Sequence, residues 1–207
     1  MRSDYAVEVL RKKLSFSPES IKKINEFCKY LLSENKDYNL IGKSTVEHIW
    51  ERHILDSAQI LRFIEADEKK VIADLGTGAG FPGLILAFYD EQSLFHVKLF
   101  EKSSVKRNFL LKMVKKFKLN VEILENVYNQ EIEANIIVCR AFKKIEEIIK
   151  ISREKIKKPH KIIILKGKNA QTEIKNVSMS ENYSYKLEKS MTSEESKIII
   201  INAKKER

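Results

Sequence analysis

Four of the chain's six glycines fall inside ten residues, Asp74-Leu75-Gly76-Thr77-Gly78-Ala79-Gly80-Phe81-Pro82-Gly83. Glycine lets a backbone take positive φ and approach a ligand closely. A turn of this kind between a strand and a helix also presents N–H groups at a helix N-terminus. Pro82 suits the opening of that helix. About 20 residues on, at the end of the next apolar run, stands Glu101, where this architecture sets a carboxylate against ribose hydroxyls.

Two readings of the loop compete. Gly78 to Gly83 matches the dinucleotide pattern G-x-G-x-x-G, whereas Asp74, Gly76, Gly78 and Gly80 match the D-x-G-x-G-x-G loop of class I methyltransferases. Asp74 favours the second. An acid at the lip of the turn repels a pyrophosphate, but it suits the cationic amine and sulfonium of S-adenosylmethionine. The expected cofactor is therefore S-adenosylmethionine, held at Asp74, Gly76, Gly78, Gly80 and Glu101. A turn that binds nothing is the plainer alternative.

The elements that must position this loop follow from the apolar pattern. From Val71 onward, short apolar runs alternate with amphipathic stretches. Strands are expected at Val71–Leu75, Val97–Phe100, Val121–Leu124, Ile136–Cys139 and Ile162–Leu165, and helices at Leu84–Tyr89, Val105–Phe117 and Ile145–Ile156. Such alternation predicts an α/β protein with a parallel, Rossmann-like sheet. Two further strands, Tyr183–Leu187 and Ile198–Ile201, lack a clear helix between them and predict an antiparallel end. Residues 1–66 read as a helical extension packed on a domain spanning 67–207. Ser17-Pro18 looks like a helix start, Ile21, Ile24, Phe27 and Leu31 form a stripe, and Ser44 with Glu47 fits a capping box.

The composition bounds the class. Over 207 residues, 43% are hydrophobic and 33% charged, as in a soluble globular protein. No apolar run approaches the ~18–20 residues of a membrane span, and the start shows no secretory pattern. Cys28 and Cys139 sit among apolar residues and read as reduced core thiols of a cytoplasmic protein. His48 and His53, five apart, share no helix face well, so no metal is expected. The net charge of +10 suits a polyanionic partner. Lys102–Lys118 carries seven basic residues and no acid, with Val105, Phe109, Met113 and Phe117 expected inward and Arg107, Lys112, Lys115 and Lys118 outward. Lys155, Lys157, Lys158, Lys161, Lys166 and Lys168 form a second cluster. Either cluster reads as a phosphate-binding surface or as a solvated face.

With the loop placed, the chain resembles the bacterial glucose-inhibited division protein B family, the 16S ribosomal RNA guanine-N7 methyltransferases. Asn39-Leu40-Ile41 with Glu51-Arg52-His53-Ile54-Leu55-Asp56-Ser57 looks like the family's N-terminal signature, and Gly76 to Gly83 like its cofactor loop. Lys106-Arg107, Phe109-Leu110, Arg140-Ala141-Phe142 and Leu165-Lys166-Gly167 match in order. The likeness implies cofactor contacts at Gly76, Phe81, Val127-Tyr128 and Arg140. Two departures stand out: Glu101 replaces the family's usual Asp, and Asn126 and Asn129 flank Tyr128 where the family tends to carry an acid.

The resemblance further implies, as partner, 16S ribosomal RNA or the small ribosomal subunit; a monomer is expected, with the oligomeric state open from sequence. Guanine N7 already has an in-plane lone pair, so methylating it needs no general base, only alignment of N7, methyl and sulfur. Arg140 at a strand exit could orient the guanine through O6, or contact a phosphate or the cofactor carboxylate, or form a structural salt bridge. Lys166 at the next strand end is a weaker candidate for the RNA. His53 with Asp56 is expected to brace the helical extension. Rival readings are a methyltransferase for a small molecule or protein, a nicotinamide-dependent oxidoreductase, and a non-catalytic RNA-binding or ribosome-assembly module.

Overall fold

The computed structural model describes residues 3–65, 67–89 and 94–204. Hydroxyl caps start its first helices. Ser3 Oγ accepts from Ala6 N at 3.2 Å to open α1 (Asp4–Leu14). Ser17 Oγ accepts from Ser20 N at 3.0 Å, with Pro18 at the first position of α2 (Pro18–Tyr38). The capping box expected at Ser44 and Glu47 does not form. Lys43–Thr45 is instead a 3-10 turn in which Thr45 Oγ1 donates to Gly42 O at 2.8 Å. A π-helical turn, Trp50–Leu55, then runs through α3 (Asp56–Ala58) into a 3-10 turn at Gln59–Phe63. The expected boundary residue, Ala66, lies outside the described residues.

The sheet has seven strands: β1 (Lys70–Leu75), β2 (Phe95–Phe100), β3 (Val121–Leu124), β4 (Ile136–Arg140), β5 (His160–Lys166), β6 (Tyr183–Lys189) and β7 (Lys197–Ala203). Their order is β3-β2-β1-β4-β5-β7-β6. The first five are mutually parallel, and β7 runs antiparallel to β5 and β6, giving the reversed end that the two closing apolar runs predict. Between the strands lie α4 (Gly83–Tyr89), α5 (Ser104–Phe117), α6 (Ile145–Lys155) and α7 (Ala170–Lys175). Helix α7 is absent from the sequence reading. Its six residues bury only Ala170 and Ile174, too short a pattern to show a period.

Side-chain alternation divides the core in two. Ile72, Val97, Leu99, Val138 and Ile163 face a layer that α1, α2, the π-turn, α4 and α5 share. Ala73, Leu75, Phe100, Ile137, Cys139 and Ile164 face α6 and α7. The N-terminal helices thus cover one face of the sheet in a common core with it. Phe27, fully buried on α2, packs against Phe81, Phe88 and Phe109 at 5.9, 5.6 and 6.1 Å between ring centroids. Since Phe81 belongs to the glycine loop, the helical layer steadies that loop directly. On α5, Phe109, Leu110 and Met113 are buried, but Val105, expected inward, is 44% exposed because it sits in the first turn, beyond the helix's contact with α2.

Strand order reverses direction between β1 and β4. The chain leaves β1 toward β2 and leaves β4 toward β5, so the loops beyond their carboxyl ends diverge and open a crevice.

Candidate active site

Three turn glycines hold the loop in backbone conformations that side chains rarely adopt: φ is +70° at Gly76, +62° at Gly78 and +102° at Gly80. A Cβ on Gly76 would stand 2.3 Å from the Phe142 ring, while one on Gly78 would meet nothing within 4 Å. Asp74 is not at the lip. Its carboxylate is fully buried beneath the turn, where Oδ2 accepts from Gly83 N at 2.7 Å and ties the two ends of the loop together. Burial pushes its pKa up to about 7, against the opposing pull of the Thr77 hydroxyl, the Gly83 N–H and Arg140. A strand that alternates its faces leaves the last carboxylate before the turn pointing into the core, which the motif spacing does not reveal.

Glu101 holds the position at the lip that was expected of Asp74. It extends from the end of β2, with Oε2 accepting from Gly78 N at 2.9 Å and Oε1 from Ser103 N at 2.8 Å. One oxygen therefore already occupies an N–H that a pyrophosphate would require, and its charge repels a phosphate there. Each carboxylate oxygen retains a second lone pair for a ribose hydroxyl. The longer reach of Glu compared with Asp is used in this bridge.

A cavity of about 430 Å³ opens in front of this pair, bordered by Gly76, Glu101, Val127, Tyr128, Ala141 and Phe142. That volume lies within the range of cofactor clefts. The Val127–Asn129 turn is capped by Asn126 Oδ1, which accepts from Tyr128 N at 3.1 Å. Tyr128 OH donates to Glu147 at 2.5 Å, so an acid does stand at this segment, supplied by α6. The donor set suits S-adenosylmethionine: an open glycine, a carboxylate with free lone pairs and an apolar wall. Phe81 is only 3% exposed and does not border this cavity; its ring packs beneath the Arg140 guanidinium, 5.2 Å from its centroid, and against the His53 ring at 4.9 Å.

Arg140 stands at the end of β4 and faces a second cavity of about 350 Å³, which meets the first at Ala141. Its Nη1 donates to Arg52 O at 2.7 Å and to Asp56 Oδ2 at 3.3 Å, and its Nη2 lies 2.8 Å from His53 Nδ1. A guanidinium can only donate, so Nδ1 must accept and the neutral ring carries its proton on Nε2. Nε2–H then donates to Thr45 Oγ1 at 2.8 Å, whose own hydroxyl donates to Gly42 O. Burial, then Arg140 and Arg52, push the His53 pKa down to about 3, which keeps the ring neutral. The brace expected of His53 is real, and Arg140 itself is part of it. Ala141, next in the chain, takes φ +49°, which turns Phe142 back onto Gly76.

Lys166 is placed otherwise than expected. Its ammonium donates to Lys143 O at 3.0 Å and to both oxygens of Glu173, while Glu173 Oε1 also accepts from Ile145 N at 2.7 Å. All three donors are occupied, and the pair braces the start of α6 instead of offering a free charge. The basic clusters are likewise thinned by pairing. Arg107 bonds Glu101 O, Lys102 O and Glu125, Lys112 meets Glu34, Lys116 meets Glu26 and Lys157 meets Glu131. Among the described residues no ion pair holds Lys102, Lys106, Lys115 or Lys118. Lys102 and Lys106 border the cofactor cavity.

Both cysteines are buried thiols, and burial pushes Cys28 up to about 12. Among the described residues no group of three His, Cys, Asp or Glu could hold a metal, and no helix is long and apolar enough to cross a membrane. Sequence reasoning took Asp56 as a brace with His53 and Phe142 as part of a signature, without a place at either cavity, and missed Thr45 and Gln59. Asp56 lies inside the Glu51–Ser57 signature, so position alone could have flagged it.

A sheet of this order with one reversed strand, a glycine turn after β1 and a carboxylate after β2 defines a class I, Rossmann-like S-adenosylmethionine-dependent methyltransferase. Solved structures have the same fold. Matches include M. jannaschii TYW2 in complex with AdoMet (TM-score 0.52, 19% identity, 79% of this chain and 76% of that one). Another is an MtNAS mutant in complex with S-adenosylmethionine (TM-score 0.58, 9% identity, 99% and 84%). The chain belongs to the GidB family, rRNA small subunit methyltransferase G, whose model matches residues 20–201. Relatives named ribosomal RNA small subunit methyltransferase G include one from Pelagibacter ubique, 34% identical over 193 residues (90% of this chain, 89% of the relative). A second, from Rickettsia felis, is 35% identical over 185 residues (89% and 94%).

Proposed function

We propose that this chain transfers the methyl group of S-adenosylmethionine to N7 of a guanine in 16S ribosomal RNA, free or within the small subunit, as a cytoplasmic monomer. The observation that carries this reading is the pair of cavities meeting at Ala141, one built for a nucleoside cofactor and one walled by hydrogen-bonding side chains. When bound, S-adenosylmethionine supplies a sulfonium methyl, and the N7 lone pair takes that carbon as the C–S pair withdraws to sulfur. Because N7 bears no proton, the protein holds no base for it and contributes by alignment.

Glu101 takes the ribose hydroxyls on its unused lone pairs, and Gly76, Gly78 and Gly80 let the backbone come up against the cofactor. Val127 and Tyr128 border the adenine, the Phe81 backbone closes the loop, and Asp74 acts through the loop it fastens. Arg140 borders the acceptor cavity beside the transfer point. The unpaired lysines Lys102, Lys106, Lys115 and Lys118 supply salt-dependent attraction to the phosphate backbone without choosing a base.

Incubating the protein with labelled S-adenosylmethionine and unmodified small-subunit RNA or particles, then mapping the label, tests the proposal. Label confined to one N7-methylguanine is the expected result. Absence of transfer to RNA or particles by a protein that binds the cofactor overturns it.

A further inference from the structure

We propose that Asp56 and Arg140 together read the Watson–Crick edge of the acceptor guanine, Arg140 donating to O6 and Asp56 Oδ2 accepting N1–H. The assignment rests on the guanine-N7 reading above and names the residues that choose the base.

The chemistry of the target atom restricts where a base can be read. N7 must face the cofactor, so no protein group can cover it. Selection has to come from the edge that runs away from N7: first O6, an acceptor, then N1–H, a donor. The cavity wall presents a matching pair. Ala141 lines both cavities, Arg140 is its neighbour in the chain, and Asp56 Oδ2 stands 3.3 Å from Arg140 Nη1 on the same cavity wall. A base with N7 toward Ala141 would set O6 beside the guanidinium and N1–H beside the carboxylate.

Both groups have capacity left. Arg140 carries five N–H donors, and three are used by Arg52 O, Asp56 and His53. The remaining two have no partner among the described residues. Asp56 Oδ1 is filled by Gln59 Nε2 at 2.9 Å and Thr192 Oγ1 at 2.8 Å. Oδ2 has only the long contact to Arg140 and keeps a lone pair. One oxygen is thus fixed to the scaffold while the other can still accept a proton donor from the cavity.

The carboxylate is also held rigidly, as a reading group must be. Gln59 is fully buried. Its Oε1 accepts from Met191 N at 2.7 Å, and its Nε2 reaches Ser190 Oγ at 3.2 Å. Thr192 N in turn donates to Ser190 Oγ at 3.1 Å. The turn between β6 and β7 is therefore bolted to the same helical segment that carries Asp56. Adenine would invert both contacts, setting an amino group against the guanidinium and a lone pair against the carboxylate, so the pair rejects it as well as selecting guanine.

The test replaces the methylated guanine of the wild-type substrate by inosine, which keeps N7, O6 and N1–H, and by 2,6-diaminopurine, which keeps N7 but has an amino group at position 6 and a lone pair at N1. Inosine is expected within about fivefold of guanine in kcat/KM, and 2,6-diaminopurine on the order of 100-fold or more below it. Equal rates on guanine and diaminopurine overturn the assignment, as does an inosine rate as low as that of diaminopurine. Asp56→Asn can turn an amide N–H toward N1, so the guanine-to-diaminopurine ratio should shrink by about tenfold or more, with cofactor affinity unchanged. Equal loss on both bases would make Asp56 a brace alone and overturn its role. Wild-type protein that methylates no guanine control sinks the transfer reading itself, an outcome distinct from lost discrimination.

Discussion

Gly78→Ala tests whether the cofactor lies against the glycine turn. The substitution keeps the Gly78 N–H that Glu101 accepts, so the bridge across the lip survives. Its structural cost is the φ of +62°, because the added Cβ meets no protein atom within 4 Å. A side chain in the left-handed region costs roughly 1–2 kcal/mol, and the stiffer unfolded chain returns roughly 0.4–1. A net loss of about 1 kcal/mol lowers the Tm of a chain this size by about 2–4 °C. The open space that receives the methyl group is the space the cofactor would fill. Crowding it should weaken S-adenosylmethionine by about 1–3 kcal/mol, or roughly 5- to 150-fold in Kd. Scanning calorimetry of the free protein and calorimetric titration with cofactor separate the two effects. Gly76→Ala is the contrast, since its Cβ would run into Phe142 at 2.3 Å and should damage stability first. A Gly78→Ala protein whose Kd stays within about threefold of wild type would refute the placement of the cofactor.

Two further predictions concern groups that the structure assigns to scaffolding. Asp74 titrates near 7 in the folded protein against an ordinary 3.8, so the folded state holds this proton more tightly than the unfolded chain. Its contribution to stability is complete below about pH 4 and is lost as pH rises through about 7. Asp74→Asn keeps an acceptor for Gly83 N and should gain on wild type by up to about 4 kcal/mol at alkaline pH. Urea denaturation at stepped pH reads this, and parallel stability profiles for the two proteins would contradict it. Lys166→Met removes the clamp on Glu173 and should lower stability by about 1–3 kcal/mol while kcat holds within about threefold. A collapse of kcat at unchanged Tm would instead return Lys166 to the substrate.

Much of the scaffold could be read from apolar runs. The strands β1 to β5 extend the expected runs by at most two residues at either end, because continuous Ile and Val stretches such as Ile162–Leu165 have no stable place except between two covered faces. The glycine turn was legible for a similar reason, since clustered glycine marks backbone that side chains cannot adopt. What stayed hidden was direction and distance. Asp74 and Glu101 are both carboxylates near strand ends, but Asp74 lies inside β1 beneath the turn and Glu101 one residue beyond β2, a difference in depth that the spacing alone does not show. The partners of Arg140 come from 84 to 88 residues away, so the sequence named Arg140 and Asp56 separately but not the contact between them. Lys166 looked free for the same reason, because Glu173 belongs to a helix too short to be foreseen.

The bolt between Gln59 and Met191 spans 132 positions of the chain, and this sets an order of assembly during synthesis. Every residue bordering the nucleoside cavity has left the ribosome once Lys143 has emerged. The acceptor cavity must wait for Ser190 through Lys197, and Asp56 lacks its Thr192 donor until then. A nascent chain therefore holds every residue bordering its cofactor cleft some fifty residues before it holds those of the acceptor cavity.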